Sequence, residues 1–221
     1  MIVTTRLIAL LIGYFLGCFP TGYMVGKLRG VDIRKHGSGN TGATNTLRTL
    51  GWKAAVITFL GDCGKTILAI VLANILFKNS GYDITVIELY AGLGAVLGHN
   101  FPFYFKFKGG KGIACTAGVA FALFPAAVPV CLTVFVLCIA LSKYVSLGSI
   151  LMAILLVIQI FVFNHYGILG VPEASVYEFD ILVLILGTLA IFQHRANIVR
   201  LCKGTENKVG QKVEIKKECE K

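Results

Sequence analysis

Charge is scarce in this chain, and acid is scarcer than base. Only 14% of its 221 residues are charged, 11 acidic against 21 basic, while 56% are hydrophobic and mean hydropathy is +0.79. A soluble domain is about 45–50% apolar and about 25% charged, so most of this chain belongs in a bilayer. The net charge of +10 does not signal nucleic acid in such a background, because Lys and Arg gather in the cytoplasmic loops of membrane proteins. The seven cysteines are odd in number, form no C-x-x-C pair and lie mostly in apolar runs; neither a disulfide framework nor a zinc site is signalled. His, Asp and Glu form no cluster at metal-ligand spacing, so neither metal nor cofactor is expected. A soluble-type nucleophile elbow is missing too. So is the His-x4-Asp pattern: Thr41, Tyr104, Gly170 and Val199 follow His36, His99, His165 and His194 at that spacing.

Long apolar runs are what the chain does have. Spans of about 20 residues fit Leu7–Val25, Trp52–Phe77, Ile84–Leu97, Val145–Phe163 and Phe179–Phe192. "GYFLGC" near the start reads as part of the first span rather than as a cleavage site, since the helix pattern continues through Tyr23 to Val25. A 29-residue run, Ile113–Leu141, carries Pro125 and Pro129. As one helix it would stretch about 43 Å, well beyond a core of about 30 Å, and interior proline disfavours it. Broken at "FPAAVP", it makes two short helices and seven passes. Seven passes put the basic clusters around Arg34, Lys111, Lys143 and Arg200 on one side, the cytoplasmic one. The acidic loop "GVPEASVYEFD" then faces the other side. The expectation is an all-α polytopic membrane protein, with short fourth and fifth helices. Residues 1–206 read as a single domain and 207–221 as a polar, disordered tail.

Two glycine-rich stretches carry the polar chemistry. "HGSGNTGATNTLR" (His36–Arg48) offers backbone that can take positive φ and free N–H groups that make a concave anion site. Ser38, Asn40, Thr41, Thr44 and Asn45 add donors, and Arg48 adds a planar fork suited to phosphate; "ATNTLR" reads as a helix start. In "GHNFPFYFKFKGGKG" (Gly98–Gly112) a glycine turn with Lys108 and Lys111 feeds a helix start, a favourable phosphate seat. Its aromatic residues suit either the membrane interface or the wall of an acyl-chain site. "FLGDCGKT" is no P-loop, because Phe59 stands where that motif needs glycine. Asp62 and Lys65 share one helical face and read either as a structural pair or as part of the site. His194 and Asn197 lie one turn apart with Arg200 beyond. Ser146 and Ser149 fall on the same side of the membrane.

Together "GSGNTGATNTLR", "GHNFPFYFKFKGGKG", "SLGSI" and "HRANIVRLCKGTE" resemble the PlsY family, the bacterial membrane acyl-phosphate:glycerol-3-phosphate acyltransferases. The motifs occur in the expected order across almost the whole chain. The resemblance implies transfer of a fatty acyl group from acyl phosphate to the sn-1 hydroxyl of glycerol 3-phosphate. Lysophosphatidic acid and inorganic phosphate are the implied products, without acyl-CoA or acyl carrier protein as direct donor. Carried over by motif, Gly37, Ser38, Gly39 and Arg48 would bind one phosphate. Lys111, with Gly109, Gly110 and Gly112 of its loop, would bind another. His99, Ser146, His194 and Asn197 would complete the pocket with Ser149 in support, and Glu206 matches the acidic residue closing the last motif. A proton acceptor stays open among His99, His194 and the leaving phosphate. The resemblance also implies a multi-pass protein of the bacterial inner membrane, with its site and C-terminus cytoplasmic; a monomer is the expectation, though the sequence itself is silent on oligomeric state. An anion transporter would instead place polar motifs mid-membrane in repeated halves. A magnesium-dependent lipid enzyme would need acidic clusters near the motifs.

Overall fold

The computed structural model describes residues 2–211, so Met1 and 212–221, most of the polar tail and Cys219 with it, lie outside the described residues. Among those described there are helices and loops and no strand. Helix α1 (Ile2–Gly17) and α2 (Thr21–Lys27) are separated at Cys18–Pro20. The expected continuous first span is therefore corrected to a broken one. Proline lacks the N–H that would continue the helix, and it disfavours helical φ/ψ at Phe19 before it. The short α3 (Ala43–Leu50) leads through Gly51, at φ +85°, into α4 (Trp52–Phe77). Helix α5 (Ile84–Asn100) follows.

The long apolar run breaks as expected. Helix α6 (Ile113–Leu123) stops at Phe124, and a 3-10 turn at Pro125–Ala127 starts α7 (Val128–Ser142). At 1.5 Å per residue α6 rises only about 16 Å, the short helix expected, well under the roughly 30 Å of a bilayer core. Phe124 ends it inside the core, edge-on to Phe179 with ring centroids 5.9 Å apart. Helices α8 (Val145–His165), α9 (Val176–Gln193) and α10 (Arg195–Cys202) complete the chain. Six helical stretches among the described residues are long and apolar enough to cross a membrane, with α6 the shorter seventh. Large apolar side chains such as Leu11, Leu60, Leu132 and Leu184 are exposed along them, as a lipid-facing surface requires.

Helices α1 and α5 are held by glycine at close range. A Cβ on Gly13 or Gly17 would run into the backbone of Ala91 or Ala95, and one on Gly94 or Gly98 into that of Leu10 or Tyr14. Each helix thus presents a G-x-x-x-G pair to the other, packing that brings membrane helices together without a hydrophobic driving force between them. Away from the glycine loops, Arg6 pairs with Glu178, which also accepts from the Tyr90 hydroxyl at 2.9 Å.

Candidate active site

The first glycine loop is built around Asn45. Its amide nitrogen donates to the carbonyls of Ile33 (3.0 Å), His36 (3.1 Å) and Asn40 (2.9 Å), and its oxygen accepts from the Ser38 N–H at 2.9 Å. Gly37 and Gly39 sit at φ +60° and +69°, which lets the chain wrap this single side chain. Asn45 borders the cleft, but its amide is spent on the loop rather than held out for a ligand. Asn40 accepts from the Gly42 N–H at 2.9 Å and donates to the Gly109 carbonyl at 3.2 Å, so it ties the two glycine loops together.

The second loop is pinned to the end of α5. Gly109 N–H donates to the Asn100 carbonyl and Gly110 N–H to that of His99, both at 3.0 Å. A Cβ on Gly110 would fall on the His99 imidazole, so glycine is required for this approach. Gly112, at φ +80°, turns the chain into α6.

Between the loops opens a cleft. It gathers Ser38, Asn40, Asn45, Arg48, His99, Lys111, Gly112, Ser146, Ser149, His194, Asn197 and Glu206 from five separate stretches of chain. The first residues of both α3 (Ala43, Thr44) and α6 (Ile113, Ala114) also line it, so two helix N-termini offer unpaired N–H groups to one space. Gly37, Gly39, Thr41, Lys108, Gly109 and Gly110 do not line the cleft. Thr41 is buried behind the first loop, its carbonyl against Gly22, and Lys108 is exposed.

The cations are held by a polar relay. Lys111 donates to the Asn197 side-chain oxygen, Asn197 donates to Glu206 at 2.9 Å, and Arg200 closes on the second oxygen of Glu206 at 2.8 Å. Burial lowers Lys111 from the usual 10.5 to about 8, against the pull of Glu206. Burial likewise lowers Arg48, whose guanidinium reaches the Asn207 carbonyl at 3.3 Å. Two desolvated cations in one cleft favour an anion strongly. Asp32 stays out of it, paired with Arg34 at 2.7 Å.

The two histidines of the cleft have different partners. His194 Nδ1 lies 2.8 Å from the Ala190 carbonyl, an acceptor only, so this nitrogen carries the proton and Nε2 keeps its lone pair. Burial takes His194 down to about 4, so it is neutral at pH 7. His99 Nδ1 lies 3.0 Å from Lys65 Nζ and 3.5 Å from Asp62 Oδ1, between an ammonium and a carboxylate. Ser146 is buried with its hydroxyl unpartnered, whereas the Ser149 hydroxyl donates to the Val145 carbonyl at 2.9 Å.

A second cavity, walled by apolar side chains, adjoins the first. Phe59, Ile113 and Phe135 border both. Sequence reading did not single out Phe59 or Phe135 as site residues; the signal for Phe59 was its position three residues before Asp62, on the same face of α4. The aromatics of "FPFYFKF" line neither cavity: Phe103, Tyr104 and Phe107 are exposed and Phe105 packs on Tyr23.

The family model for glycerol-3-phosphate acyltransferase matches residues 7–204. A glycerol-3-phosphate acyltransferase of Thermoanaerobacter sp. (strain X514) is 43% identical over 207 residues, 93% of this chain and 96% of that one. That of Clostridioides difficile (strain 630) is 40% identical over 216 residues, covering 97% and 100%. Crystal structures of PlsY, an integral membrane glycerol 3-phosphate acyltransferase, match as its glycerol 3-phosphate form (TM-score 0.79, 36% identity) and its lysophosphatidic acid form (0.78, 35%). Each match covers 93% of this chain and 96% of that one. The chain belongs to the glycerol-3-phosphate acyltransferase family and is an integral membrane acyltransferase of phospholipid synthesis.

Proposed function

We propose that the enzyme moves a fatty acyl group from acyl phosphate to the sn-1 hydroxyl of glycerol 3-phosphate, releasing lysophosphatidic acid and inorganic phosphate. The observation that carries this reading is the continuity of the two cavities. A polar cleft with two cations and two helix N-termini runs past Phe59 and Phe135 into an apolar groove. Such a shape suits one substrate that is wholly polar and another that is a phosphate joined to a chain. Acyl phosphate is a mixed anhydride with a good leaving group, so the hydroxyl attacks the carbonyl directly and no acyl-enzyme is needed.

Arg48, Lys111 and Ser38, with the N-termini of α3 and α6, hold the phosphates and stabilise the charge that gathers on the departing one. His99 donates to a phosphate oxygen. His194, an acceptor through Nε2, and the unpartnered Ser146 hydroxyl orient the glycerol. Positioning of the two substrates supplies the rest. Residues 1–206 form the acyltransferase unit, a monomer in the bacterial inner membrane, with the cleft and C-terminus facing the cytoplasm; the basic clusters beside the cleft support that orientation.

The test is an assay of the purified protein with palmitoyl phosphate and glycerol 3-phosphate in EDTA. Equal amounts of phosphate and lysophosphatidic acid are expected. Product from acyl-CoA but not from acyl phosphate would overturn the donor assignment, and abolition by EDTA would overturn the metal-free chemistry.

A further inference from the structure

Both cations of the cleft are held by neutral oxygens. Lys111 donates to the Asn197 side-chain oxygen, and Arg48 Nη2 donates to the backbone carbonyl of Asn207 at 3.3 Å. The carboxylate next to Asn207, that of Glu206, is already taken by Asn197 and Arg200. The difference matters for a ligand. A carboxylate on Arg48 would take the paired fork that phosphate needs. A carbonyl fixes one edge of the guanidinium and leaves its charge and its other N–H donors free. Among the described residues this is the only side-chain hydrogen bond that Arg48 makes, so whatever fixes the Asn207 carbonyl also fixes Arg48.

The chain around Asn207 is tied down on both sides. Before it, Gly204 at φ +68° turns the chain away from α10, and the Thr205 N–H donates to the Arg200 carbonyl at 2.8 Å. After it, the Val209 N–H donates to the Lys143 carbonyl at 2.8 Å, and the Lys208 ammonium lies 5.6 Å from the centre of the Tyr144 ring. Lys143 and Tyr144 form the turn between α7 and α8. Residues 204–209 are thus a strap from α10 to that turn, with Arg48 bonded to it on the way. Asn207, Lys208 and Val209 are exposed, which places the strap on the water-facing rim. The family model ends at residue 204 and the last motif at Glu206, so the far anchor of the strap lies beyond both.

We propose that this strap positions Arg48 for a substrate phosphate, with Asn207 and Val209 as positioning residues that act through their main chain. The Asn207 carbonyl sets the guanidinium, and the Val209 N–H, fixed on Lys143, sets the carbonyl. A long side chain loses rotamer freedom when it closes on a ligand, and one that is already held loses less. The strap also joins Arg48 to the start of α8, which carries Ser146 and Ser149 of the cleft. Glycerol 3-phosphate and acyl phosphate present the same chemistry to a guanidinium, and kinetics against each tells them apart.

The inference rests on the proposed reaction, and one set of assays separates the two. Wild-type protein that makes no lysophosphatidic acid from palmitoyl phosphate and glycerol 3-phosphate overturns that reading itself. With wild type active, Val209→Pro removes the N–H that holds the far end of the strap. It should lower kcat/KM about three- to tenfold, the worth of one hydrogen bond, with little change in unfolding temperature. Val209→Ala keeps the N–H and should stay within about twofold of wild type. Lys208→Gly, which loosens the strap backbone and removes the cation from the Tyr144 ring, should act in the same direction as Val209→Pro. A rise in KM for one substrate alone identifies the phosphate that Arg48 holds. The decisive arm is a double-mutant cycle. In an Arg48→Met background, Val209→Pro should cost less than about twofold further, because the side chain that it acts through is gone. An undiminished loss in that background would overturn the proposal. So would near-wild-type kcat/KM in folded Val209→Pro, or equal losses in Val209→Pro and Val209→Ala.

Discussion

Asn40 donates its side-chain N–H to the carbonyl oxygen of Gly109 at 3.2 Å, and this bond makes two loops 69 residues apart in sequence one cradle. Replacing Asn40 by Ala removes the tie and leaves each loop anchored only to its own helix. Because one net hydrogen bond is worth about 0.5–1.5 kcal/mol, kcat/KM should fall about tenfold, with the protein still folded. Steady-state kinetics against both substrates is the check.

Arg48 and Lys111 are the cations of the cleft, and loss of either should be far more damaging. Arg48→Met and Lys111→Met should each lower kcat by about 10²–10³-fold, as for loss of a transition-state donor. Lys111→Arg should recover little, because the Asn197 oxygen that holds the ammonium does not fit a wider guanidinium.

The lowered Lys111 sets a pH limit. Burial penalises the charged form, so the ammonium is present below about 8 and lost above it. Glycerol 3-phosphate KM should therefore rise as pH passes through about 8, and Lys111→Arg should remove that rise. The sign for folding is opposite. A depressed cation costs stability while charged, so that cost should fade between about 8 and the usual 10.5. Thermal unfolding of ligand-free protein across that range, compared with Lys111→Met, reads it.

Chain selectivity should reside in the apolar groove. Ala117 lines it near the boundary with the cleft, and Ala117→Phe should fill space that a long chain needs. Each buried methylene is worth about 0.8 kcal/mol. Activity with palmitoyl phosphate should drop by about tenfold or more while activity with butyryl phosphate changes little.

Gly94 lies against the backbone of Leu10 and Tyr14. Gly94→Leu should push α1 from α5 and destabilise the protein by at least about 1–3 kcal/mol, the typical cost of overpacking. A lower unfolding temperature in detergent should appear even with substrate present.

Much of the architecture is legible in the sequence. Hydropathy set the spans, Pro125 the break in the long run, and the basic clusters their shared side, because burial in lipid and proline sterics act locally along the chain. The glycine motifs pointed to anion seats for the same reason: positive φ and helix starts are local properties. Pairing was not legible. Asn45 and Asn40 look alike in sequence, yet one is spent on its own loop and the other bridges to Gly109. Lys108 and Lys111 are three residues apart, and only Lys111 enters the cleft.

Sequence alone determined that the chain lives in a membrane, that it carries two glycine loops with nearby cations, and which family those motifs resemble. Tertiary structure decided that both loops border one cleft, that this cleft meets an apolar groove at Phe59 and Phe135, and that Asp62 keeps one oxygen unpaired at its edge. The division has a physical cause. Backbone preference and partition into lipid depend on neighbours in the chain, whereas a hydrogen-bond partner or a shared cavity depends on which helices pack together.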